Sequence, residues 1–398
     1  MKNLSYLAEK PIAVLGAGAA GRTHAADCAL AGKKVRLFEF PDFFPQLGSI
    51  ADDGIITLEG PQVNYHGFVR AGRGRVDLVT SNMAAAVAGA GLIVIAMPAV
   101  GFKKLFDLLV PCLEDGQVVH FMTGNFGSIL LRKKMKDSNC GRNIMVGEWS
   151  SQPYGTRMKS VCGVLLPSVG LFYRAITLKA AALPHRDTAD FIASGQYLPS
   201  LDSVKKPVPG DTVLDICFSN VNPVLHCPGA ILGASVMENY GLIFGDEKSK
   251  FSIYSHSFCP TTSEVQYAFY LEQKSVATAV GFSMEHYEKE EFFSRTNVLG
   301  KEFLGKDAKI DYAERYELLE GTGPFTIFNR YITEDIPVGC CVQSAFGRKF
   351  GAATPVIDAM ICLASIMTKV NFLETGWTLN DLGLADLDRP QLMSYLKG

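Results

Sequence analysis

The feature that most constrains the fold of this 398-residue chain is a glycine-rich turn between two apolar stretches. Residues 11–39, PIAVLGAGAAGRTHAADCALAGKKVRLFE, predict a strand, a Gly16-x-Gly18-x-x-Gly21 turn, a helix and a second strand that ends at Glu39. Gly16 permits a tight turn, Gly18 lets the backbone approach a pyrophosphate, and Gly21 lets the helix pack on the strand. The segment therefore predicts a β-α-β unit that binds a dinucleotide at the N-terminus of its helix.

The predicted cofactor is NAD(H). Glu39 lies where a carboxylate hydrogen-bonds the adenosine ribose and repels a 2′-phosphate, although a surface carboxylate at a strand end is the simpler alternative. Arg22, Lys33, Lys34 and Arg36 are near in sequence and suited to a phosphate, so NADP(H) stays open. The predicted cofactor-binding residues belong to the turn and to the ends of strands: Gly16, Gly18, Ala19, Ala20, Gly21, Glu39, Pro98, Ala99 and Asn125.

Apolar strands recur at residues 92–98, 117–124 and 143–149, with helical patterns between them. Strands that alternate with helices indicate a doubly wound, mostly parallel sheet. Ligands bind at the C-terminal strand ends of such sheets, which places Pro98, Asn125 and Glu148 near a cofactor or substrate. A further pair of strands is predicted within residues 161–184.

Helical periodicity dominates the second half of the chain, after a segment rich in proline and glycine. We predict an α/β Rossmann-like domain of residues 1–207 followed by an all-α domain of residues 208–398. The second domain is expected to begin with a helix capped by Asp211 and interrupted by Pro223.

The stretch SNVNPVLH, residues 219–226, brings polar side chains into that apolar helix. Ser219, Asn222 and His226 are spaced three and four residues apart, so they share one helical face. That face points either into the protein or into a cleft. A lone histidine in an apolar helix is commonly a core residue, and Asn222 is also suited to capping the helix after Pro223.

Three stretches of the second half, taken with the glycine turn, resemble the opine dehydrogenases of the octopine/nopaline type. They are SNVNPVLHCPG (219–229), NRYITEDIPVG (329–339) and GAATPVIDA (351–359). The second is the most specific, because it places Arg330 and Asp335 five residues apart as that family does. GEWSSQPYGTR (147–157) is similar to the family's segment at the domain junction. A Rossmann domain before a helical domain is also the plan of the wider 6-phosphogluconate-dehydrogenase-like reductases.

The resemblance implies roles for individual residues. His226 is expected to pair with Asp335 as the catalytic pair, and Arg330 to bind a substrate carboxylate. An ion pair between Arg330 and Asp335 with only a structural role is the alternative. The remaining candidates for substrate binding are Asn222, Glu148 and Arg157.

The reaction implied is a reductive condensation. An amino acid and a 2-oxo acid such as pyruvate form an imine, and reduction with NAD(P)H gives a secondary amine dicarboxylate, with the reverse reaction also expected. This chemistry needs an arginine for a carboxylate, a group that exchanges protons near neutral pH, and a hydride donor. The alternatives are a reductase of 2-oxo acids or polyol phosphates and a non-catalytic NAD(H) sensor. A phosphate substrate would favour a lysine beside His226, and none lies between Lys206 and Lys248.

Composition excludes several other functions. The chain is 48% hydrophobic and 20% charged with a formal net charge of −2, so small molecules rather than nucleic acids are the expected partners. No apolar run is long enough for a membrane span, and a cytoplasmic location is predicted. The ten cysteines are scattered and are read as buried hydrophobes rather than disulfides or metal ligands. No metal is expected, and a homodimer is compatible with the sequence.

Overall fold

The computed structural model describes residues 3–60, 70–161, 164–245, 251–289 and 323–398. Within these ranges an α/β domain built on a mostly parallel sheet is followed by a helical domain. The predicted fold class is therefore confirmed.

Two sheets occur in the described part of the first domain. Their strands are β1 (Ile12–Leu15), β2 (Val35–Phe38), β3 (Ile55–Glu59), β4 (Gly72–Arg75), β5 (Leu78–Thr80), β6 (Leu92–Ile95), β7 (Val118–Met122), β8 (Met145–Trp149), β9 (Tyr154–Val161), β10 (Val164–Arg174), β11 (Lys179–Ala182) and β12 (Val208–Pro209). The main sheet has the order β12-β11-β8-β7-β6-β1-β2-β5. Its strands from β8 to β5 are parallel, whereas β11 runs antiparallel to β8. The chain order reverses between β1 and β6, so ligands are expected at their carboxyl ends.

The central strands are apolar on both faces because helices cover both sides of the sheet. Strands β1, β6, β7 and β8 are buried at every residue, as parallel strands between two helical layers require. The helices of this domain are α1 (Ala19–Leu30), α2 (Ser49–Asp53), α3 (Met83–Val87), α4 (Phe102–Leu109), α5 (Gly127–Asp137) and α6 (Thr188–Ser194).

The second sheet was not predicted. It has the order β4-β3-β10-β9, and β3 and β4 are inserted between β2 and β5 of the main sheet. The strand pair predicted in residues 161–184 therefore splits between the two sheets, with β10 in the second sheet and β11 in the main one. Neither β3 nor β4 was anticipated, because their short alternating patterns resemble loops. Strand β12 extends the main sheet beyond residue 207, the predicted end of the first domain.

After strand β12, the regular elements in the described part of the second domain are helices, apart from an isolated bridge between Ser252 and Gly323. Its helices are α7 (Val213–Phe218), α8 (Asn222–Leu232), α9 (Ala234–Glu238), α10 (Tyr240–Phe244), α11 (Ile253–His256), α12 (Pro260–Val280), α13 (Arg330–Thr333), a π-helical turn (Asp335–Cys340), α14 (Cys341–Phe350), α15 (Pro355–Thr368), α16 (Phe372–Thr375) and α17 (Arg389–Lys397). Thr212 rather than Asp211 caps α7. Helix α12 is capped by Gly281, which adopts a left-handed φ of 119°.

The end of the chain returns to the first domain. The Trp377 ring lies 6.2 Å from the ring of Phe102 in α4, measured between centroids. Lys103 in the same helix forms an ion pair of 2.6 Å with Asp381. Because the largest apolar cluster contains residues of both halves, the two domains share a core in the described residues.

Across the described residues, no helix has both the length and the apolar character that a bilayer span requires. The same residues contain no cluster of three or more His, Cys, Asp or Glu side chains arranged for a metal ion.

Candidate active site

The glycine turn joins β1 to α1 with very close backbone contacts. Gly16 has a φ of 100°, which disfavours a side chain. A Cβ atom on Gly21 would lie 1.7 Å from the carbonyl oxygen of Gly16, so only glycine fits there. A Cβ on Gly18 would meet no atom within 4 Å, which leaves open space in front of the turn. These constraints match the steric reasons for the motif, and the open space fits a pyrophosphate at the start of α1.

A pocket of about 410 Å³ lies in front of this turn. It is lined by Gly16, Gly18 and Glu39, and by Met97 and Pro98 after β6. The Glu39 carboxylate accepts hydrogen bonds from the backbone N–H groups of Ala17, at 2.7 Å, and Phe40, at 2.8 Å. These bonds hold the carboxylate at the pocket wall, between the turn and the end of β2.

Of the four basic residues that kept NADP(H) open, only Arg22 lines this pocket. Its guanidinium is buried and donates to the carbonyl oxygens of Ala17, Leu166 and Gln46. Burial lowers the pKa of Arg22, while Glu39 partly opposes that change. Lys33 donates to the carbonyl of Ala8, and Arg36 donates to carbonyls that follow α3 or lie within it.

The turn that follows β7 has an unusual backbone. Thr123 and Phe126 have φ values of 82° and 60°, which are rare for residues other than glycine. Such conformations persist where surrounding contacts fix them, commonly at functional sites. In this turn the Asn125 side-chain oxygen accepts a hydrogen bond of 2.7 Å from Asn220, at the start of the helical domain. Asn125, predicted to bind the cofactor, therefore also links the two domains.

Glu148 has a different environment from the one predicted. Its side chain is fully buried and accepts hydrogen bonds from the N–H groups of Asn125 and Ser128 and from the Ser128 hydroxyl. Burial raises the pKa of Glu148, and those hydrogen bonds oppose the increase. Glu148 lines neither of the two pockets described for this site. These contacts hold the turn at the N-terminus of α5, and a direct substrate contact of Glu148 stays a prediction.

Arg157, also predicted to bind a substrate, lies in the second sheet. It lies on β9 opposite Gly170, on the exposed side of the second sheet. It lines neither pocket, so the described geometry gives no support to a substrate-binding role.

A second pocket, of about 380 Å³, lies between the two domains. We call it the interdomain cleft. The first domain contributes residues around β11 and the end of β8, and the second contributes the start of α8 together with α11 and α12. Its described lining includes Ser150, Lys179, Asn220, Asn222, His226, Tyr254, Tyr270 and Gln273.

His226 and Asp335 meet at the edge of this cleft. The Nδ1 atom of His226 lies 2.8 Å from a carboxylate oxygen of Asp335, and both residues are buried. Asp335 begins the π-helical turn that packs against α8. Because an ionised carboxylate only accepts hydrogen bonds, this contact assigns the neutral imidazole proton to Nδ1. The geometry therefore brings together the two residues that were predicted to pair.

Two tyrosines missed by the sequence analysis complete the surroundings of His226. The hydroxyl of Tyr254, on α11, lies 2.7 Å from Nε2 of His226. The ring of Tyr331, on α13, stacks on the imidazole with a centroid distance of 3.8 Å and an interplanar angle of 20°. Tyr331 lies within the family-like stretch and so carried a signal. Tyr254 lies in FSIYSHSF, which has no motif.

Arg330 pairs with Glu334 rather than with Asp335, the partner suggested by the structural alternative. Its Nε and Nη2 atoms both donate to one oxygen of Glu334, at 3.0 and 2.7 Å. The other oxygen of Glu334 accepts from the backbone N–H of Ala99, at 2.9 Å, after β6. Glu334 raises the pKa of Arg330, whereas burial raises the pKa of Glu334 itself. The described hydrogen bonds leave the Nη1–Nη2 edge of this exposed guanidinium for a further anion, and Arg330 lines neither of the two pockets.

Asn222 occupies the first position of α8 and lines the cleft. Its backbone N–H donates to the side-chain oxygen of Asn220, at 3.1 Å. No side-chain cap of α8 is formed, so the capping alternative for Asn222 is not what the structure displays. Asn220, which the sequence analysis overlooked, joins Asn222 to Asn125 across the cleft.

The chain is similar to known proteins both in its helical half and along its whole length. Residues 209–368 match the family described as NAD/NADP octopine/nopaline dehydrogenase, alpha-helical domain. An opine dehydrogenase of Arthrobacter sp. (strain 1C) is 27% identical over 98% of this chain and 99% of its own. The protein named ocs of Agrobacterium vitis is 25% identical over 97% of this chain and 99% of its own.

Solved structures share the fold over almost the whole length. An octopine dehydrogenase with NADH and pyruvate superposes with a TM-score of 0.69 at 18% identity, over 97% of this chain and 98% of that one. A yersinopine dehydrogenase with NADP+ gives a TM-score of 0.66 at 14% identity, over 98% of each chain. The neighbours thus bind either nicotinamide dinucleotide, which agrees with the pocket at the glycine turn. The chain therefore resembles NAD(P)-dependent opine dehydrogenases along its whole length, and its helical half matches the octopine/nopaline dehydrogenase domain.

Proposed function

We propose that this protein condenses an amino acid with a 2-oxo acid such as pyruvate and reduces the resulting imine, and that it also catalyses the reverse reaction. The observation that carries the proposal is the 2.8 Å contact between His226 and Asp335 at the interdomain cleft. An imidazole exchanges protons near neutral pH, and a carboxylate on Nδ1 fixes its tautomer and stabilises its charged form. Loss of water from a carbinolamine requires a proton donor of this kind.

Arg330 is the proposed ligand of a substrate carboxylate. Two of its N–H groups are held on Glu334, and the described hydrogen bonds leave the edge formed by Nη1 and Nη2 unused. A guanidinium fixed in this way binds a carboxylate through two parallel hydrogen bonds. Through Ala99, Glu334 also ties this arginine to the end of β6, beside the nucleotide pocket. The proposed reaction site therefore lies where the domains 1–207 and 208–398 face each other.

The proposed cofactor is NAD(H). Glu39 lines the pocket in front of the glycine turn, and the pocket's Arg22 is already bonded to three carbonyl oxygens. A 2′-phosphate would meet the Glu39 carboxylate, and Arg22 already uses three of its five N–H groups on carbonyl oxygens. When bound, the nicotinamide supplies the hydride for the imine carbon.

An NADH-consumption screen tests this function. Amino acids are crossed with pyruvate, oxaloacetate, 2-oxoglutarate and glyoxylate, and products are identified by mass. We expect NADH oxidation only when amine and oxo acid are both present. NADH oxidation with the oxo acid alone would identify a 2-oxo acid reductase instead.

His226→Ala should lower kcat by about 100-fold or more, since general acid catalysis contributes about 10²–10⁴-fold. Full turnover by His226→Ala would contradict the proposal.

A further inference from the structure

Both nitrogen atoms of the His226 imidazole are engaged. Asp335 holds Nδ1 at 2.8 Å, and the Tyr254 hydroxyl lies 2.7 Å from Nε2. Tyr331 covers one face of the ring by stacking. Within the described residues, neither nitrogen is therefore left to meet a substrate directly.

The direction of the hydrogen bonds follows from the carboxylate. With its proton on Nδ1, the neutral imidazole accepts at Nε2, so Tyr254 donates its O–H to His226. When the imidazole is protonated, Nε2–H donates to the Tyr254 oxygen instead. The hydroxyl can therefore pass a proton in either direction without any change in its position.

Tyr254 also has access to the place where a substrate would lie. It lines the interdomain cleft together with His226 and is half-buried. Its hydroxyl oxygen lies 3.4 Å from the hydroxyl of Tyr331, which helps to keep it beside the imidazole. The Tyr254 hydroxyl thus occupies Nε2 of His226 at the wall of the cleft.

We propose that Tyr254 is a catalytic residue whose hydroxyl carries the proton between His226 and the substrate. This inference rests on the proposed function. In the forward reaction, Tyr254 gives its proton to the hydroxyl group of the carbinolamine and receives the Nε2 proton of the imidazolium. The C–O bond breaks, water leaves, and the nitrogen lone pair forms the C=N bond of the iminium. The net change is one proton from His226 to the departing water.

A different role for the same contact leads to the opposite kinetic behaviour. If Tyr254 only occupied Nε2 until a substrate displaced it, removal of its hydroxyl would ease substrate binding. KM would then fall, and kcat would stay constant or rise. If the hydroxyl carries the proton, its removal lowers kcat and leaves KM nearly unchanged.

The decisive variant is Tyr254→Phe in the full chain, assayed with NADH and the amine and oxo acid pair turned over fastest by the wild type. We expect kcat to fall by about 100-fold, within the range of general acid catalysis, with both KM values within about threefold. Tyr6→Phe is the matched control, because Tyr6 donates to the carbonyl of Gly116 and lines neither pocket. Its kcat should stay at the wild-type value.

Isotope effects separate proton transfer from general damage to the site. In Tyr254→Phe, loss of water should become rate-limiting. The effect of deuterium at the transferred position of NADH should therefore fall toward one, while the solvent deuterium effect rises. Replacement of Tyr254 by 3-fluorotyrosine keeps the ring and the hydroxyl but makes the hydroxyl more acidic, so kcat should change severalfold. An unchanged kcat in this fluorinated protein would overturn the proposal, even if Tyr254→Phe failed to fold.

The outcomes distinguish this inference from the proposed function. Wild-type activity with an inactive His226→Ala and a fully active Tyr254→Phe would overturn the relay and leave the proposed function in place. A lower KM with undiminished kcat in Tyr254→Phe would also overturn the relay. A wild-type chain without turnover of any amine and oxo acid pair would overturn both.

Discussion

Individual side chains of this site act mainly by holding other groups in place. Glu334 uses one oxygen for Arg330 and the other for the N–H of Ala99, so a single carboxylate joins the proposed carboxylate-binding arginine to the first domain. Asp335 holds His226 through a hydrogen bond at Nδ1, which fixes the tautomer of the imidazole. Substitution of such a buried carboxylate removes a charge and also displaces the groups that it holds. We therefore expect the effects of combined substitutions on activity to be strongly non-additive.

Glu39 decides between the two dinucleotides in our interpretation. Glu39→Gln keeps a hydrogen-bond acceptor for the N–H of Ala17 but removes the charge that would repel a 2′-phosphate. We expect the ratio of kcat/KM for NADH to that for NADPH to fall by about tenfold, equivalent to about 1.4 kcal/mol. Steady-state kinetics with each cofactor at a fixed amine and oxo acid measure this ratio.

The matched control for Glu39 is Glu59→Gln, a neutralisation on β3 of the second sheet. Glu59 pairs with Lys159 at the surface and does not line the nucleotide pocket. Its cofactor ratio should equal that of the wild type. A wild type that prefers NADPH, or a Glu39→Gln variant with an unchanged ratio, would show that Glu39 does not select the cofactor.

At the scale of elements, two packed segments position the proposed catalytic pair. His226 lies on α8, and Asp335 begins the π-helical turn Asp335–Cys340. Gly339 in this turn contacts Pro223 at the start of α8, and a Cβ atom there would lie 2.7 Å from the proline Cγ. The absence of a side chain at Gly339 therefore sets how closely the two elements approach.

Gly339→Ala should push α8 and the π-helical turn apart. We expect a loss of about 1–3 kcal/mol in the free energy of unfolding, typical of overpacking, together with a lower kcat. Gly241→Ala is the control, since its Cβ meets no atom within 4 Å and it lies in a short helix. Urea unfolding and steady-state kinetics measure both quantities. Equal stability and turnover in the two variants would mean that the contact with Pro223 does not position the pair.

These elements also show how much of the fold and the site can be predicted from the sequence. The glycine turn, the strand pattern and the RYITEDIP stretch predict the Rossmann sheet and the pairing of His226 with Asp335. The π-helical turn has no such signal, because its extra residue per turn arises from packing rather than from a pattern of apolar positions. The contact of Tyr254 with Nε2 of His226 also has no sequence signal, because the packing of a separate short helix creates it.

Two charged residues show what the sequence pattern does not determine. Glu148 was predicted to face a ligand because it ends a parallel strand, yet its side chain turns inward to the N-terminus of α5. The pattern fixes the position of the backbone but not the direction in which a side chain finds its hydrogen bonds. Arg157 shows a related limit, because the second sheet that carries it was not predicted, and its substrate-binding role stays a prediction.

At the scale of the whole molecule, two fully buried histidines connect stability to pH. His120, on β7, accepts a hydrogen bond at Nδ1 from the Trp149 indole and contacts Ser194 through Nε2. Burial lowers its pKa from 6.5 to about 3. His24, on α1, has its pKa lowered to about 4, again mainly through burial, and its contact with Gln152 opposes the change. Both imidazoles are therefore neutral in the folded protein at pH 7.

Acidification should destabilise the fold through these two residues. In the unfolded chain their pKa values are near 6.5, so between about pH 6.5 and pH 4 the unfolded state binds protons that the folded state does not. Their contribution to stability is complete above about pH 6.5 and falls as the pH decreases. Each histidine then removes about 1.4 kcal/mol per pH unit. Buried Glu148 and Glu334, with raised pKa values, act in the opposite direction.

A variant comparison isolates the histidine contribution from that of the carboxylates. His120→Gln retains an acceptor for the Trp149 indole and a donor for Ser194 but does not titrate. Urea unfolding at pH 7, 6 and 5 should show a smaller loss of stability on acidification in this variant than in the wild type. Between pH 6 and pH 5 the difference should be about 1 kcal/mol. His286→Gln, at an exposed position, should follow the wild type. Parallel pH profiles for wild type and His120→Gln would mean that His120 takes up its proton in the folded state as readily as in the unfolded one.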